Sequence, residues 1–159
     1  MFRSPFRLLA VVLALAAIGL GTSTRLWGQN GVKPGEWPHW GGDQGNTRYS
    51  PLDQITRDNV KTLRVAWRWK ADNFGPRTDG NYEATPLAVN GVLYTIAGIR
   101  RDVVAVDGAT GETLWMYRLN EGDRGDRSPR KTGRGVEYWS SPDGRDQRIM
   151  VVTQGFHLV

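Results

Sequence analysis

A cluster of basic side chains is the first feature of this sequence that could bind a ligand. Five cationic residues lie between positions 124 and 134: Arg124, Arg127, Arg130, Lys131 and Arg134. Such a cluster can bind phosphate where it lines one face of a helix or groove. Here the cations are interleaved with Asp, Gly and Pro. The segment is therefore predicted to be a solvated loop and not a phosphate-binding patch.

Neither histidine has the neighbours that a metal site or a hydrolase requires. His39 and His157 lie far apart in the chain, without cysteine or clustered acidic partners. The sequence contains no cysteine, which excludes a disulfide framework, a thiolate metal site and a lipid-modified N-terminal cysteine. We predict no zinc site, no phosphate loop and no hydrolase triad.

The net charge excludes one large class of partners. The formal charge is +5, and part of it belongs to the N-terminus. Without Arg3 and Arg7 the 21 basic residues become 19, against 16 acidic residues, which leaves +3. This bias is too small to indicate a nucleic-acid-binding protein.

The N-terminus has the pattern of a secretory signal peptide. Arg3 and Arg7 precede an apolar run at 8–20, which small residues follow. The run is shorter than the ~20 residues that a membrane-spanning helix needs. Residues 1–24 are therefore predicted to be a signal peptide and the protein to be exported to the periplasm. An uncleaved signal that anchors the protein in the membrane is the alternative.

One segment has the pattern of a hairpin from a β-propeller blade. Residues 105–115 fit A-x-D-x-x-T-G-x-x-x-W, a buried strand end, a tight turn and a strand closed by an indole. Five residues are predicted to dock this blade against its neighbour: Ala105, Asp107, Thr110, Gly111 and Trp115. A blade cannot bury its hydrophobic face alone, so the motif predicts further blades.

Apolar segments around this motif predict one complete blade. Asn90-Gly91 lies between two of them, and this dipeptide is the strongest short-range signal for a β-hairpin. We predict four antiparallel strands between Ala84 and Tyr117. Apolar segments within 136–153 predict the first strands of a second blade. The last residues, 155–159, form an unfinished apolar strand, from which we expect the propeller to continue.

The pattern before the first blade is weaker. Residues 25–36 are predicted to be a linker, and residues 37–159 the propeller domain. Residues 37–60 are expected to be mostly irregular, with a short helical turn within 53–60 that Thr56 caps. Alternating apolar and polar residues at 63–69 predict a half-buried strand.

Four stretches of the chain resemble the pyrroloquinoline quinone (PQQ)-dependent dehydrogenases, the quinoprotein alcohol and glucose dehydrogenases. In order, they are Trp40–Leu52, Ile55–Trp67, Glu83–Tyr94 and Arg134–Trp139. Each is weak alone, but their order and the intervening Trp-ended motif make the resemblance specific. It implies an all-β fold, a partial β-propeller made of the first blade and the start of the second of an expected eight.

The resemblance also implies PQQ and a metal ion, calcium or a lanthanide, at the propeller axis. Glu83 matches the family glutamate that contacts the cofactor, and Arg134 matches the arginine that pairs with a PQQ carboxylate. Their chemistry suits these roles, because a guanidinium binds a carboxylate bidentately and a carboxylate accepts hydrogen bonds from the cofactor rim. The family's metal ligands and catalytic aspartate lie outside this chain. No catalytic or metal-binding residue is therefore predicted here, and the chain alone is expected to be inactive.

The sequence departs from the family pattern in one respect that bears on the substrate. Many members carry adjacent cysteines shortly before the arginine, and residues 128–132 contain none. This favours the glucose-dehydrogenase side, or an uncharacterised branch, over methanol or ethanol dehydrogenases. The expected reaction is the oxidation of an alcohol or an aldose sugar. The electron acceptor, a cytochrome c or a membrane quinone, stays open.

Two other interpretations stay open. Propellers built from this repeat also serve as non-catalytic periplasmic scaffolds, although these are typically lipoproteins and this chain has no cysteine. The chain can also be a truncation without independent biology, whose exposed blade edge favours aggregation. A downstream catalytic loop with Asp and metal ligands would identify the enzyme, and bare repeats would identify the scaffold.

Overall fold

Two antiparallel sheets dominate the part of the chain that the computed structural model describes, residues 31–71, 74–75, 81–128 and 133–159. The first sheet contains, in order, β1 (Leu87–Val89), β2 (Val92–Ala97), β3 (Asp102–Asp107) and β4 (Thr113–Tyr117). In the second, β5 (Glu137–Ser140) pairs with β6 (Gln147–Met150). The prediction of an all-β fold is confirmed. The predicted signal peptide lies outside the described residues.

Helices contribute little to the described residues. A 3-10 helix spans Val60–Thr62, and one five-residue helix, α1, spans Asp123–Arg127. No helix in the described ranges has the length and apolar character to cross a membrane.

The hairpin predicted at Asn90-Gly91 joins β1 to β2. Asn90 and Gly91 both have left-handed backbone angles, with φ of 52° and 79°, as a tight two-residue hairpin turn of type I′ requires. Leu87 pairs with Tyr94, and Val89 pairs with Val92. The predicted four-stranded blade between Ala84 and Tyr117 is therefore confirmed.

The hydrophobic core lies where the two sheets meet. Strand β3 is the most deeply buried, and Val104 and Ala105 have no exposed surface. Leu87 and Val103 of the first sheet form one buried cluster with Val151, which follows β6. This shared cluster fixes the second sheet against the first, as in adjacent blades.

The strand predicted at 63–69 is wrong, because this segment forms no strand in the structure. The alternation is real, but Leu63 and Val65 are exposed, and of the four alternating apolar residues only Trp67 and Trp69 are partly buried. Trp67 Nε1 donates to the carbonyl of Gly108 over 3.1 Å, and Trp69 Nε1 donates to Oγ1 of Thr113 over 2.9 Å. A two-residue period shows which side chains share a face. It does not supply the neighbouring strand that pairs the backbone.

The helical turn predicted within 53–60 is displaced to Val60–Thr62. The Asn59 side chain explains the shift. Its Oδ1 accepts from the Thr56 N–H over 2.7 Å, and its Nδ2 donates to the carbonyl of Gln54 over 2.7 Å. Such local bonds compete with helix formation and delay its start. The rest of 37–60 is irregular, as predicted, with isolated bridges only.

The basic segment is partly helical, which corrects the prediction of a continuous loop. Arg124 and Arg127 lie on α1, where Arg127 pairs with Asp123 at 3.1 Å, one helical turn away. Both arginines are exposed. Arg130 and Lys131 lie outside the described residues.

The turn between β3 and β4 is covered by an indole from the irregular N-terminal region. Gly111 has a φ of 77°, and a Cβ placed there would lie 2.7 Å from Cδ2 of Trp67. The missing side chain lets Trp67 lie flat against the turn. A glycine is needed here for two reasons, the left-handed backbone and the close approach of the indole.

We expect Gly111→Ala to lower the free energy of unfolding by about 2–3 kcal/mol, measured by urea denaturation. Gly91→Ala is the matched control, because Gly91 has a φ of 79° and a Cβ placed there would have no other atom within 4 Å. In this control the free energy of unfolding should fall only by the cost of placing alanine in a left-handed backbone conformation, about 1 kcal/mol. Equal losses in the two variants would show that the indole contact contributes nothing.

Candidate functional site

The two predicted cofactor-binding residues lie beside each other at the junction of the two sheets. Glu83 precedes β1 and Arg134 precedes β5. Nη1 of Arg134 lies 3.4 Å from Oε2 of Glu83. The side chains are 81% exposed for Arg134 and 39% exposed for Glu83. The pair therefore forms an open, charged site that a ligand can reach from solvent.

The backbone around Arg134 explains how the two residues meet. Gly135 has a φ of 114°, and a Cβ there would lie 3.2 Å from the carbonyl oxygen of Thr85. Next in sequence, Val136 is buried in the same cluster as Ala84. The segment that carries Arg134 therefore packs directly against the residues that follow Glu83, and the core sets the distance between the charges.

Hydrogen bonds fix the segment 81–83, which carries Glu83. Asn81 Nδ2 donates to Oε1 of Glu83 over 3.2 Å. The hydroxyl of Tyr82 is hydrogen-bonded to the hydroxyl of Thr95 on β2. Glu83 is thus placed by its own neighbours as well as by Arg134.

The chemistry open to this pair is the binding of an anionic, planar ligand. The Arg134 guanidinium can take a carboxylate bidentately, while Glu83 orients it and accepts hydrogen bonds from a polar rim. No cluster of three or more potential metal ligands occurs among the residues that the structure describes.

The histidines have acidic partners that the sequence order conceals. His39 Nδ1 is hydrogen-bonded to Oε1 of Glu137, 98 positions away. His157 Nδ1 lies 2.8 Å from Oε1 of Glu121, 36 positions away. Each histidine therefore contacts a single carboxylate, whereas the sequence-based prediction concerned only clustered acidic partners. No spacing in the sequence signals either pair, because each joins separate parts of the fold.

A buried carboxylate is the centre of a polar cluster that the sequence did not reveal. The side chain of Glu121 is 5% exposed. It accepts from the Thr153 hydroxyl, from the Gly155 N–H over 2.7 Å and from His157. We call these four residues the Glu121 network.

Electrostatics favour the ionised form of this carboxylate. Burial by itself raises the pKa of the Glu121 carboxyl, but the hydrogen bonds from Thr153, His157 and Gly155 outweigh it, and the pKa lies below its usual value. The network therefore connects a residue that precedes α1 to the segment after β6 through a charged group.

The five predicted blade-docking residues lie on the β3–β4 hairpin. Asp107 accepts from the N–H and hydroxyl of Thr110 over 2.8 and 3.0 Å, which holds the pKa of its carboxyl below the usual value. Trp115 is 42% exposed and lies 5.9 Å from Tyr94, measured between ring centroids. Its docking against a neighbouring blade stays a prediction.

Comparison with known proteins supplies the family. The model of the β-propeller domain of PQQ-dependent glucose, ethanol and alcohol dehydrogenases matches residues 37–159. The two sheets define a partial propeller, and the chain belongs to this family of quinoprotein dehydrogenases.

Similar proteins include enzymes named for alcohols and for a sugar. The chain is 39% identical over 133 residues to the dehydrogenase subunit of a quinone-dependent alcohol dehydrogenase from Gluconobacter oxydans, over 82% of this chain and 17% of the relative. It is 35% identical over 118 residues to a quinoprotein glucose dehydrogenase of that organism, over 70% of this chain and 14% of the relative. The chain thus spans well under a fifth of these relatives.

Solved structures agree on the fold. A quinohemoprotein alcohol dehydrogenase from Comamonas testosteroni aligns with a TM-score of 0.57 and 30% identity, over 91% of this chain and 22% of that one. A europium-containing methanol dehydrogenase aligns with a TM-score of 0.61 and 25% identity, over 80% and 20%. These matches confirm the predicted partial propeller.

Proposed function

We propose that the complete propeller protein containing this chain is a PQQ-dependent dehydrogenase that oxidises an alcohol or an aldose sugar. One observation carries the proposal: Arg134 and Glu83, 51 positions apart, come within 3.4 Å at the junction of the two sheets. The names of the similar proteins, which cover alcohols and glucose, support the same substrate class.

The residues present fit the cofactor. PQQ is a flat tricarboxylate quinone, and the Arg134 guanidinium is open to solvent at the site. When bound, PQQ would supply the two-electron acceptor, which takes the substrate's electron pair as a hydride. Arg134 binds a carboxylate of the cofactor, and Glu83 holds the guanidinium in place while accepting hydrogen bonds from the rim.

The rest of the reaction belongs to residues outside this chain. A calcium or lanthanide ion and a carboxylate base would come from later blades, so the 159 residues alone are expected to show no turnover. The missing cysteines before Arg134 favour an aldose sugar among the substrates. The electron acceptor is a cytochrome c or a membrane quinone.

Dye-linked assays of the complete protein test this function. After loading with PQQ and Ca²⁺, or with a lanthanide, we expect substrate-dependent dye reduction with ethanol or glucose and none without PQQ. Methanol serves as the discriminating third substrate. A PQQ-loaded protein that oxidises none of a panel of alcohols and aldoses would contradict the enzyme and favour a binding scaffold.

We further propose that the protein is exported to the periplasm. Arg3 and Arg7 before the apolar run support this, and cleavage is expected between Gly19 and Gly28. Mass spectrometry of fractionated cells measures the N-terminus in each compartment. A signal retained in the membrane fraction would identify an anchor, whereas an intact Met1 in the cytosol would rule out export.

A further inference from the structure

Arg134 depends on its neighbours for its position, because its own side chain is largely in solvent. The flanking glycines make the backbone contacts. Gly135 packs against the Thr85 carbonyl on the Glu83 side. On the other side, a Cβ at Gly133 would lie 2.5 Å from Cδ1 of Ile96 and 3.0 Å from Cδ of Arg101. The segment is therefore held between two surfaces, and Arg101 forms part of one.

Arg101 is fixed at both of its ends. Its backbone is left-handed, with a φ of 57°, and its N–H donates to the carbonyl of Gly98 over 3.2 Å in the turn between β2 and β3. Its Nη1 donates to the carbonyls of Val152 and Thr153 over 3.1 and 3.0 Å. The side chain thus reaches from the turn between β2 and β3 to the segment after β6 and passes Gly133 on the way.

The segment after β6 that Arg101 holds is itself anchored. Thr153 donates its hydroxyl to Glu121, whose other oxygen accepts from the Gly155 N–H. Arg124 Nε donates to the carbonyl of Gly155 over 2.6 Å. Since both ends of the Arg101 side chain are attached to fixed backbone, it forms a rigid support for the residue before Arg134.

We propose that Arg101 is a positioning residue for PQQ binding, which sets the backbone of Gly133 and Arg134 so that the guanidinium meets the cofactor carboxylate beside Glu83. This rests on the proposed function. Arg101 need not touch the cofactor; its effect passes through Arg134. Nη1 donates to both carbonyls while Cδ lies against Gly133. A lysine side chain is one bond shorter, so its ammonium would not reach both carbonyls with the stem still against the glycine.

A double-mutant cycle in the complete protein tests the proposal, with PQQ affinity measured by titration of the apoprotein. Arg101→Lys is expected to raise the Kd for PQQ roughly three- to thirtyfold. In the Arg134→Ala background the same substitution should change the Kd less than about twofold, because the group that it positions is gone. Arg100→Lys, in the same turn and exposed, is the matched control and should leave the Kd unchanged.

The outcomes separate this proposal from the function on which it rests. If Arg101→Lys weakens PQQ binding equally in the wild-type and Arg134→Ala backgrounds, or does not change the Kd at all, Arg101 does not position Arg134. Arg134 can still bind the cofactor in either case. An unchanged Kd in Arg134→Ala removes Arg134 from the site and overturns the positioning role with it, whereas a complete protein that binds no PQQ overturns the proposed function. If Arg101→Lys does not fold, Gly133→Ala perturbs the same contact from the other side and runs through the same cycle.

Discussion

Replacing Arg134 by alanine in the complete propeller is expected to weaken PQQ binding by roughly one to three orders of magnitude. The bound cofactor would cover the Arg134–Glu83 pair, and truncating one member of a covered charge pair costs about 2–5 kcal/mol, much of it from the partner left unpaired. Titration of PQQ into the purified apoprotein measures the change.

Two variants sharpen this result. Arg134→Lys should recover only part of the affinity, because one ammonium cannot reproduce the guanidinium fork. Arg145→Ala removes an arginine that is 89% exposed and lies 3.7 Å from Asp143, so it controls for the loss of a surface ion pair. If Arg134→Ala binds PQQ as tightly as this control does, Arg134 is not part of the cofactor site.

Removing the Glu121 carboxylate is expected to destabilise the fold strongly. Glu121→Ala leaves the Thr153 hydroxyl and the Gly155 N–H without their acceptor in a site that excludes most solvent. Each unsatisfied buried donor costs about 1–3 kcal/mol, so the free energy of unfolding should fall by about 2–4 kcal/mol. Urea denaturation at neutral pH measures it. Glu112→Ala, on the β3–β4 turn and away from this network, should change it by less than about 0.5 kcal/mol.

The same carboxylate predicts a dependence on pH. The pKa of Glu121 is lower in the folded chain than its usual value near 4.5, so the ionised form stabilises the fold above that value. This contribution should disappear as the pH falls through the lowered folded pKa. The stability difference between wild type and Glu121→Gln should therefore be largest near neutral pH and shrink below about pH 4.5. A difference that stays constant down to acid pH would mean that the charge of Glu121 contributes nothing.

The strands of the first blade were predictable because their signals are local. Asn90 and Gly91 readily adopt the two left-handed conformations that a tight hairpin turn needs. The motif ending in Trp115 combines a buried strand with a turn. The segment at 63–69 failed for the opposite reason. Whether an alternating segment becomes a strand depends on a neighbour that pairs with its backbone, and here the indoles of Trp67 and Trp69 bind the β3–β4 hairpin instead.

The candidate site also has a part that the sequence predicted and a part that only the fold produced. Resemblance to a family singled out Glu83 and Arg134, but their contact arises from a core in which Ala84 and Val136 share one cluster. The Glu121 network had no counterpart in the sequence reasoning. Glu121 and Thr153 stand 32 positions apart, and neither carries a motif that marks it as buried.

The sequence by itself determined the strands of the first blade and the turn at Asn90-Gly91, because turn chemistry and two-residue periodicity act over a few neighbouring residues. The family and the propeller class came from the resemblance of four stretches in order. The tertiary structure alone decided which charged groups meet, with Arg134 beside Glu83 and Glu121 beside His157. The first contact depends on how the two sheets pack, because Ala84 and Val136, next to Glu83 and near Arg134, share one buried cluster. Packing brings together residues that are distant in the chain, and no local pattern encodes that distance.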